Sequence, residues 1–218
     1  MHVGVLGTGV VGRTLGTRLV ALGHRVTMGS RRAGGDQAVA WAAAAGELAA
    51  QGTFADAAAP ADLVVNATAG TGSLAALGAA GAEHLAGKVV LDVANALDVS
   101  AGMPPTLAVC NTDSLGEQIQ RAFPDARVVK ALNTVNCDVM VDPSLLAGHH
   151  TMFLAGDDDR AKDDVRRLLE SFGWPPDDLV DLGGIGAARG MEMYLPLWLR
   201  LWQATGSGRF NVLLVRER

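Results

Sequence analysis

Gly7, Gly9 and Gly12 fall in the segment Gly7-Thr8-Gly9-Val10-Val11-Gly12, directly behind the apolar run Val3-Gly4-Val5-Leu6. That spacing suits a loop wrapped around a diphosphate. The first glycine allows a tight turn out of a strand. The second lets the backbone approach a pyrophosphate, and the third lets a helix pack closely on the strand. The helix starting there offers unpaired N–H groups and the positive end of its dipole. Gly29-Ser30-Arg31-Arg32 follows about one helix and one strand later. Dinucleotide sites that read a free ribose 2′-hydroxyl carry an Asp or Glu roughly twenty residues past the glycine motif. Here that stretch holds Met28 and Gly29, and its first acid, Asp36, comes after two arginines. A guanidinium meets phosphate oxygens through two parallel hydrogen bonds, and the Ser30 hydroxyl can add another. The pattern predicts NADP(H), with Gly7, Thr8, Gly9, Val10, Val11 and Gly12 on the pyrophosphate and Ser30, Arg31 and Arg32 on the 2′-phosphate.

Glycine is common in this chain, 27 of 218 residues, so the motif carries weight only through its surroundings. Residues 2–6 read as a buried parallel strand. Residues 10–22 read as a helix, with Val11, Leu15, Leu19 and Leu22 on one face. Gly23 ends that helix, and 25–28 form the next strand. Further along, a helix is expected over 36–51, a short third strand over 53–54 and a fourth strand over 62–67. A helix over 73–85, a strand over 88–93, a helix from 114 to about 123 and a strand over 127–132 come next. A strand over 151–155, a helix over 161–172, a strand over 179–182 and a last helix over 186–203 close the chain. The acids Asp157, Asp158 and Asp159 read as capping for the helix behind them.

This alternation predicts an α/β fold: a doubly wound, mostly parallel Rossmann sheet with a short C-terminal strand–helix extension. One NADP-binding domain is expected over 1–218, with a core over 1–150 and an extension over 151–218 that completes the pocket. Ligands in such sheets bind beyond the carboxyl ends of the strands. That rule selects the turns at 7–12, 29–32, 68–72, 95 and 133–136. Ala67, Thr68, Asn95, Asn133 and Thr134 suit ribose and nicotinamide; simple turns are the alternative.

Hydrophobic residues make up 49% of the chain and charged ones 19%, a globular composition and not a disordered one. The net charge of −5 and the lack of a basic cluster argue against nucleic acid. No run of about twenty apolar residues predicts a membrane span. The start of the chain enters a strand at once, so no signal peptide is expected. Cys110 and Cys137 have no metal-ligand spacing, which points to a reducing, cytoplasmic setting and no metal. Met191, Met193, Leu195, Leu197, Trp198, Leu201 and Trp202 make the last helix apolar on several faces. Burial, a pocket wall and a dimer contact all fit, and a homodimer is expected.

The turns, in this order, resemble the NADPH-dependent coenzyme F420 reductase family. The likeness runs through Val5-Leu6-Gly7-Thr8-Gly9, Gly29-Ser30-Arg31, Val129 to Val135, Gly156 to Asp159, Asp181-Leu182-Gly183 and the stretch from Arg189 to Trp202. It implies NADPH across the top edge of the sheet, with Thr8, Gly9, Val10 and Val11 at the pyrophosphate. It places Ser30 and Arg31 at the 2′-phosphate, and Asn133 and Thr134 beside the nicotinamide. A second substrate, coenzyme F420 or a related flavin-like acceptor, would stack on the nicotinamide. The histidine this family carries at the Asn133 position is absent, and its following proline is replaced by Asn136, so the acceptor pocket is expected to differ. Hydride transfer between stacked rings needs little acid–base machinery. The single tyrosine, Tyr194, has no lysine four residues on. Lys130, His149 and His150 remain as proton donors but read as structural or surface groups, and Cys137 reads as a small buried apolar residue. No catalytic residue is assigned. A carbonyl or imine reductase using the same NADPH unit, and an NADPH-binding redox-sensing module, are the rival expectations.

Overall fold

The structure is a computed structural model and describes residues 1–217. It opens with β1 (His2–Leu6), α1 (Val10–Ala21) and β2 (Arg25–Ser30). Val3 and Val5 are wholly buried, and Leu15 and Leu19 of α1 share a core with them and with Val26 and Met28. α2 (Asp36–Ala45) stops at Gly46, where φ is 96°. That left-handed residue ends the alanine-rich helix well before position 51. The third strand is β3 (Ala49–Thr53), and Phe54 already belongs to α3 (Phe54–Ala58). Thr53 explains the shift from the expected 53–54. Its hydroxyl accepts the Asp56 N–H at 3.1 Å, while Asp56 accepts the Thr53 N–H at 2.8 Å. This reciprocal capping box starts a helix where the apolar Phe54 had suggested a strand.

β4 (Leu63–Asn66) leads to α4 (Ser73–Ala80) and α5 (Ala82–Leu85). Gly81, with φ 95°, breaks what had been expected as one helix. β5 (Val89–Asp92) follows, then a small antiparallel pair, β6 (Leu97–Asp98) and β7 (Thr106–Leu107). Next come α6 (Leu115–Ala122), β8 (Arg127–Ala131) and α7 (Cys137–Val141). The extension supplies β9 (Met152–Gly156), α8 (Asp159–Phe172), β10 (Leu179–Asp181), α9 (Ala188–Met193) and α10 (Leu195–Thr205). Asp158 caps α8 by accepting the Ala161 N–H at 2.8 Å, the role the acidic run suggested. The last helix is two helices, with Tyr194 between them and Pro196 in the first turn of the second. Proline fits there because that turn needs no N–H from it.

Among the described residues, eight strands form one sheet in the order β10-β9-β8-β5-β4-β1-β2-β3. Every neighbouring pair is parallel except β8 with β9. One apolar layer contains Leu15, Trp41, Leu168, Phe172 and Trp174. A second contains Phe54, Leu77, Leu85, Ile119 and Phe123. The sheet is thus sandwiched, the doubly wound α/β arrangement read from the sequence. Strand order reverses between β1 and β4, and that switch point opens a crevice at the carboxyl edge. Residues 211–214 run back along the start of β9: Thr151 donates its N–H to the Val212 carbonyl at 2.8 Å, and Leu214 donates to the Thr151 hydroxyl at 2.9 Å.

Candidate functional site

The crevice divides at the exit of β4 into two cavities that share Ala67, Thr68 and Ala69 as a common wall. Gly7 sits at φ 120° and donates its N–H to Gly29 at 3.0 Å, tying the loop to β2. A Cβ on Gly12 would strike the Gly7 carbonyl oxygen, so α1 lies directly on the loop. Gly9 caps α1 with open space where its Cβ would be. No side chain caps this helix and no acid stands in its first turn. The first-turn N–H groups are therefore available to an anion.

Gly7, Thr8, Gly9, Ser30, Arg31, Ala67 and Thr68 meet in the larger of the two cavities, about 660 Å³. Phe54, Thr71, Ala75, Ala76 and Ala79 supply much of the remaining wall, and no carboxylate is among its lining residues. Ser30 donates its hydroxyl to the Arg32 carbonyl at 2.6 Å, which holds the turn closed around Arg31. Arg32 is exposed and lines neither cavity, so the structure separates it from its neighbours Ser30 and Arg31.

Val10, Val11, Ala67, Thr68, Asn95 and Asn133 meet in the second cavity, about 310 Å³. Thr68 is fixed from below by Asn66, whose Oδ1 accepts its hydroxyl at 2.7 Å. Asn95 and Asn133 are cross-linked: Asn133 Nδ2 donates to Asn95 Oδ1 at 3.0 Å, and Asn95 Nδ2 to the Asn133 carbonyl at 2.9 Å. The preceding Leu132 is held at φ 65°, an uncommon conformation for a bulky side chain. Asn133 Oδ1 is buried without a hydrogen-bond partner. An unmatched buried acceptor is costly; an amide donor such as a nicotinamide carboxamide is the chemistry that would match it. Together with the uncapped helix, the open Gly9 and the acid-free arginine cavity, this donor set fits NADP(H). Thr134 is buried but lines neither cavity, so of the two residues of this turn only Asn133 reaches the crevice wall.

Val135 and Asn136, from the turn selected at 133–136, and Leu195 and Trp198, from the stretch for which a pocket wall was one reading, also line the smaller cavity. Val93, Ala94, Leu97, Cys137 and Met140 line it too and were not expected as ligand-binding residues. Trp198 stacks on Phe210 at 5.4 Å between ring centroids. Cys137 is only half-buried and lines the cavity, less enclosed than its sequence setting implied. The candidate proton donors lie elsewhere. Lys130 is wholly buried, with Asp92 and Glu192 oxygens each at 2.8 Å. Burial works to lower its pKa, but the two carboxylates outweigh it and hold the ammonium above its ordinary value. His149 pairs with Asp178 at 3.0 Å, and His150 lies 3.0 Å from the Pro143 carbonyl; neither lines the crevice. Burial pushes the Tyr194 pKa up, keeping the phenol neutral. The Lys130 arrangement had a signal in the sequence: a lysine inside Val128-Val129-Lys130-Ala131 needs a buried counter-charge. Its register partner across the sheet is Asp92.

Fold and crevice together define an NADP-dependent oxidoreductase of the doubly wound class. Residues 2–96 match the family described as NADP oxidoreductase, coenzyme F420-dependent. A crystal structure from Arthrobacter sp. FB24, provisionally named an F420-dependent NADP reductase, is 52% identical. It superposes with a TM-score of 0.92, covering 98% of this chain and 99% of that one. The chain belongs to this family of F420-dependent NADP oxidoreductases. Metalloreductase STEAP3 of Rattus norvegicus is 28% identical over 204 residues, 90% of this chain. The chain spans only 37% of the length of that relative. A reductive aminase from Aspergillus terreus, solved with NADPH, shares the fold at TM-score 0.67 and 18% identity, over 94% of this chain and 62% of its own.

Proposed function

We propose that this chain passes a hydride between NADP(H) and a flat deazaflavin acceptor of the coenzyme F420 type, bound in the smaller cavity. One observation carries the choice of acceptor. Apart from the Cys137 thiol, the side chains lining that cavity carry no acidic or basic group. Reduction of a carbonyl or imine calls for a positioned acid at the product heteroatom, and no Asp, Glu, His, Lys or Tyr lines the cavity. A deazaflavin takes the hydride on ring carbon and a proton from water on ring nitrogen, so it asks only for alignment at about 3–3.5 Å. Bound NADPH supplies the hydride.

The chain's own residues bind and align. Arg31 takes the 2′-phosphate, with Ser30 beside it on the wall of the larger cavity. Gly7, Thr8, Gly9, Val10, Val11 and Gly12 form the pyrophosphate loop. Ala67, Thr68 and Asn95 flank the ribose and ring, and Asn133, backed by Thr134, holds the carboxamide. Leu195 and Trp198 shield the ring face from water. Oxidised F420 mixed with NADPH and the protein should lose its deazaflavin absorbance as NADP+ forms one for one. Turnover of a ketone or imine with none of F420 would reverse the assignment, and binding without turnover of any acceptor would favour a sensing role.

We further propose that the chain works as a homodimer. Leu197 (54% exposed), Trp202 (42%), Leu213, Leu214 and Val215 place apolar side chains on the surface of α10 and the tail behind it. Light scattering should give twice the chain mass; a single monomer peak would refute it. Among the described residues no helix is long and apolar enough to cross a membrane.

A further inference from the structure

We propose that Glu192 is a positioning residue for the nicotinamide half of the cofactor, acting through Asn133. This rests on the NADP(H) site proposed above.

Glu192 lies in α9 and is 2% exposed. Its carboxylate is fixed from two sides. Lys130 Nζ lies 2.8 Å from Oε1. The Leu115 and Gly116 N–H groups, at the start of α6, donate to it at 2.8 and 3.1 Å. Lys130 is itself anchored by Asp92 at 2.8 Å and by the Ala94 carbonyl. One carboxylate thus bolts the C-terminal extension to β5, β8 and α6 at the edge of the crevice.

The residue before it makes the connection. The Met191 carbonyl accepts one hydrogen of Asn133 Nδ2 at 3.1 Å, and Asn95 Oδ1 accepts the other at 3.0 Å. With both hydrogens engaged, the Asn133 amide cannot turn without losing two bonds. Its Oδ1, a buried acceptor without a donor, is thereby held in one orientation within a residue of the cavity wall. Glu192 sets the place of Met191, and Met191 sets the aim of Asn133. Replacing Glu192 with glutamine turns one acceptor of the helix N–H groups into a competing donor and removes half of the negative charge around Lys130. The Met191 carbonyl then shifts and Asn133 loses its orientation.

A salt bridge that served stability alone would not distinguish one half of the cofactor from the other. Calorimetric titration of wild type and Glu192→Gln with NADPH and with adenosine 2′,5′-bisphosphate makes that distinction, since the second ligand has the 2′-phosphate but no nicotinamide. Glu192→Gln should bind NADPH about tenfold more weakly, the scale of one misplaced hydrogen bond, and the bisphosphate within about twofold of wild type. Glu192→Asp, which keeps the charge but reaches one methylene less far, should show the same split and serves if glutamine is not tolerated. Added to Asn133→Ala, Glu192→Gln should cost NADPH no further affinity, because both act on one contact. Equal weakening of the two ligands, or unchanged NADPH affinity, would overturn the inference. A wild-type chain that does not take adenosine 2′,5′-bisphosphate would overturn the cofactor site, and this inference with it.

Discussion

Replacing Arg31 with alanine should separate the two nicotinamide dinucleotides. Arg31 follows directly on β2, exposed, on the wall of the larger cavity. Its loss takes no packing from the core, so stability should hold within about 0.5 kcal/mol, as for other surface changes. What it removes is a charge-assisted contact to the 2′-phosphate, about 1.5–3 kcal/mol. That corresponds to a rise of roughly 10- to 150-fold in the KM for NADPH. The phosphate lies far from the reacting carbon, so ground state and transition state lose the contact equally and kcat should not change. NADH carries no such phosphate, and its KM should stay within about twofold. Salt gives an independent check. The site is at the surface, where ions screen charges over about 8–10 Å at physiological strength. The NADPH preference of wild type should therefore shrink as salt rises, while Arg31→Ala responds less. Steady-state kinetics with both coenzymes at low and high salt reads all of this. Parallel losses for NADPH and NADH would refute the reasoning and make Arg31 a structural residue.

Gly12→Ala should disable the site from beneath, because its Cβ meets the backbone carbonyl of Gly7 and not a flexible side chain. Displacing the loop by about 1 Å should cost on the order of 100-fold in kcat/KM, and an unchanged NADPH affinity by titration would count against the packing argument. Glu117 ties α6 to α9, with Arg189 nitrogens at 2.8 and 2.6 Å. The Arg189 hydrogen bonds, against the opposing effect of burial, hold its pKa below the ordinary 4.5. Because the folded value is depressed, the pair's stabilisation is complete above the unfolded pKa and disappears as pH falls through the folded one. The melting-temperature gap between wild type and Glu117→Gln should be constant from pH 7 to 5 and close below about pH 4.5. A gap that does not narrow at all as pH falls below about 4.5 would show that the pair is not what the proton competes with.

The elements that were legible in the sequence are those set by neighbours along the chain. The glycine loop announced itself because each glycine answers a requirement within a few residues: a positive φ at Gly7, open space at Gly9, a helix laid on the loop at Gly12. Apolar runs gave the core strands, since a parallel sheet covered on both faces needs continuous hydrophobic stretches. The misplaced boundaries have equally local causes that apolar content alone does not reveal. The Thr53–Asp56 capping box turned an expected strand into a helix start, and Gly46 and Gly81 ended helices early.

The chain by itself thus determined a doubly wound sheet, a diphosphate loop and an arginine in place of an acid, because backbone sterics and periodicity act over one or two elements. Only the tertiary structure decided which side chains close the crevice. Trp198 and Leu195 reach it from the C-terminal extension, and Arg32 and Thr134, beside residues that do line it, fall outside. Lys130 finds Asp92 across 38 residues and Glu192 from a helix beyond two further strands. A buried charge dictates that a partner exist, but its identity depends on how distant segments come together, and no local rule carries that information.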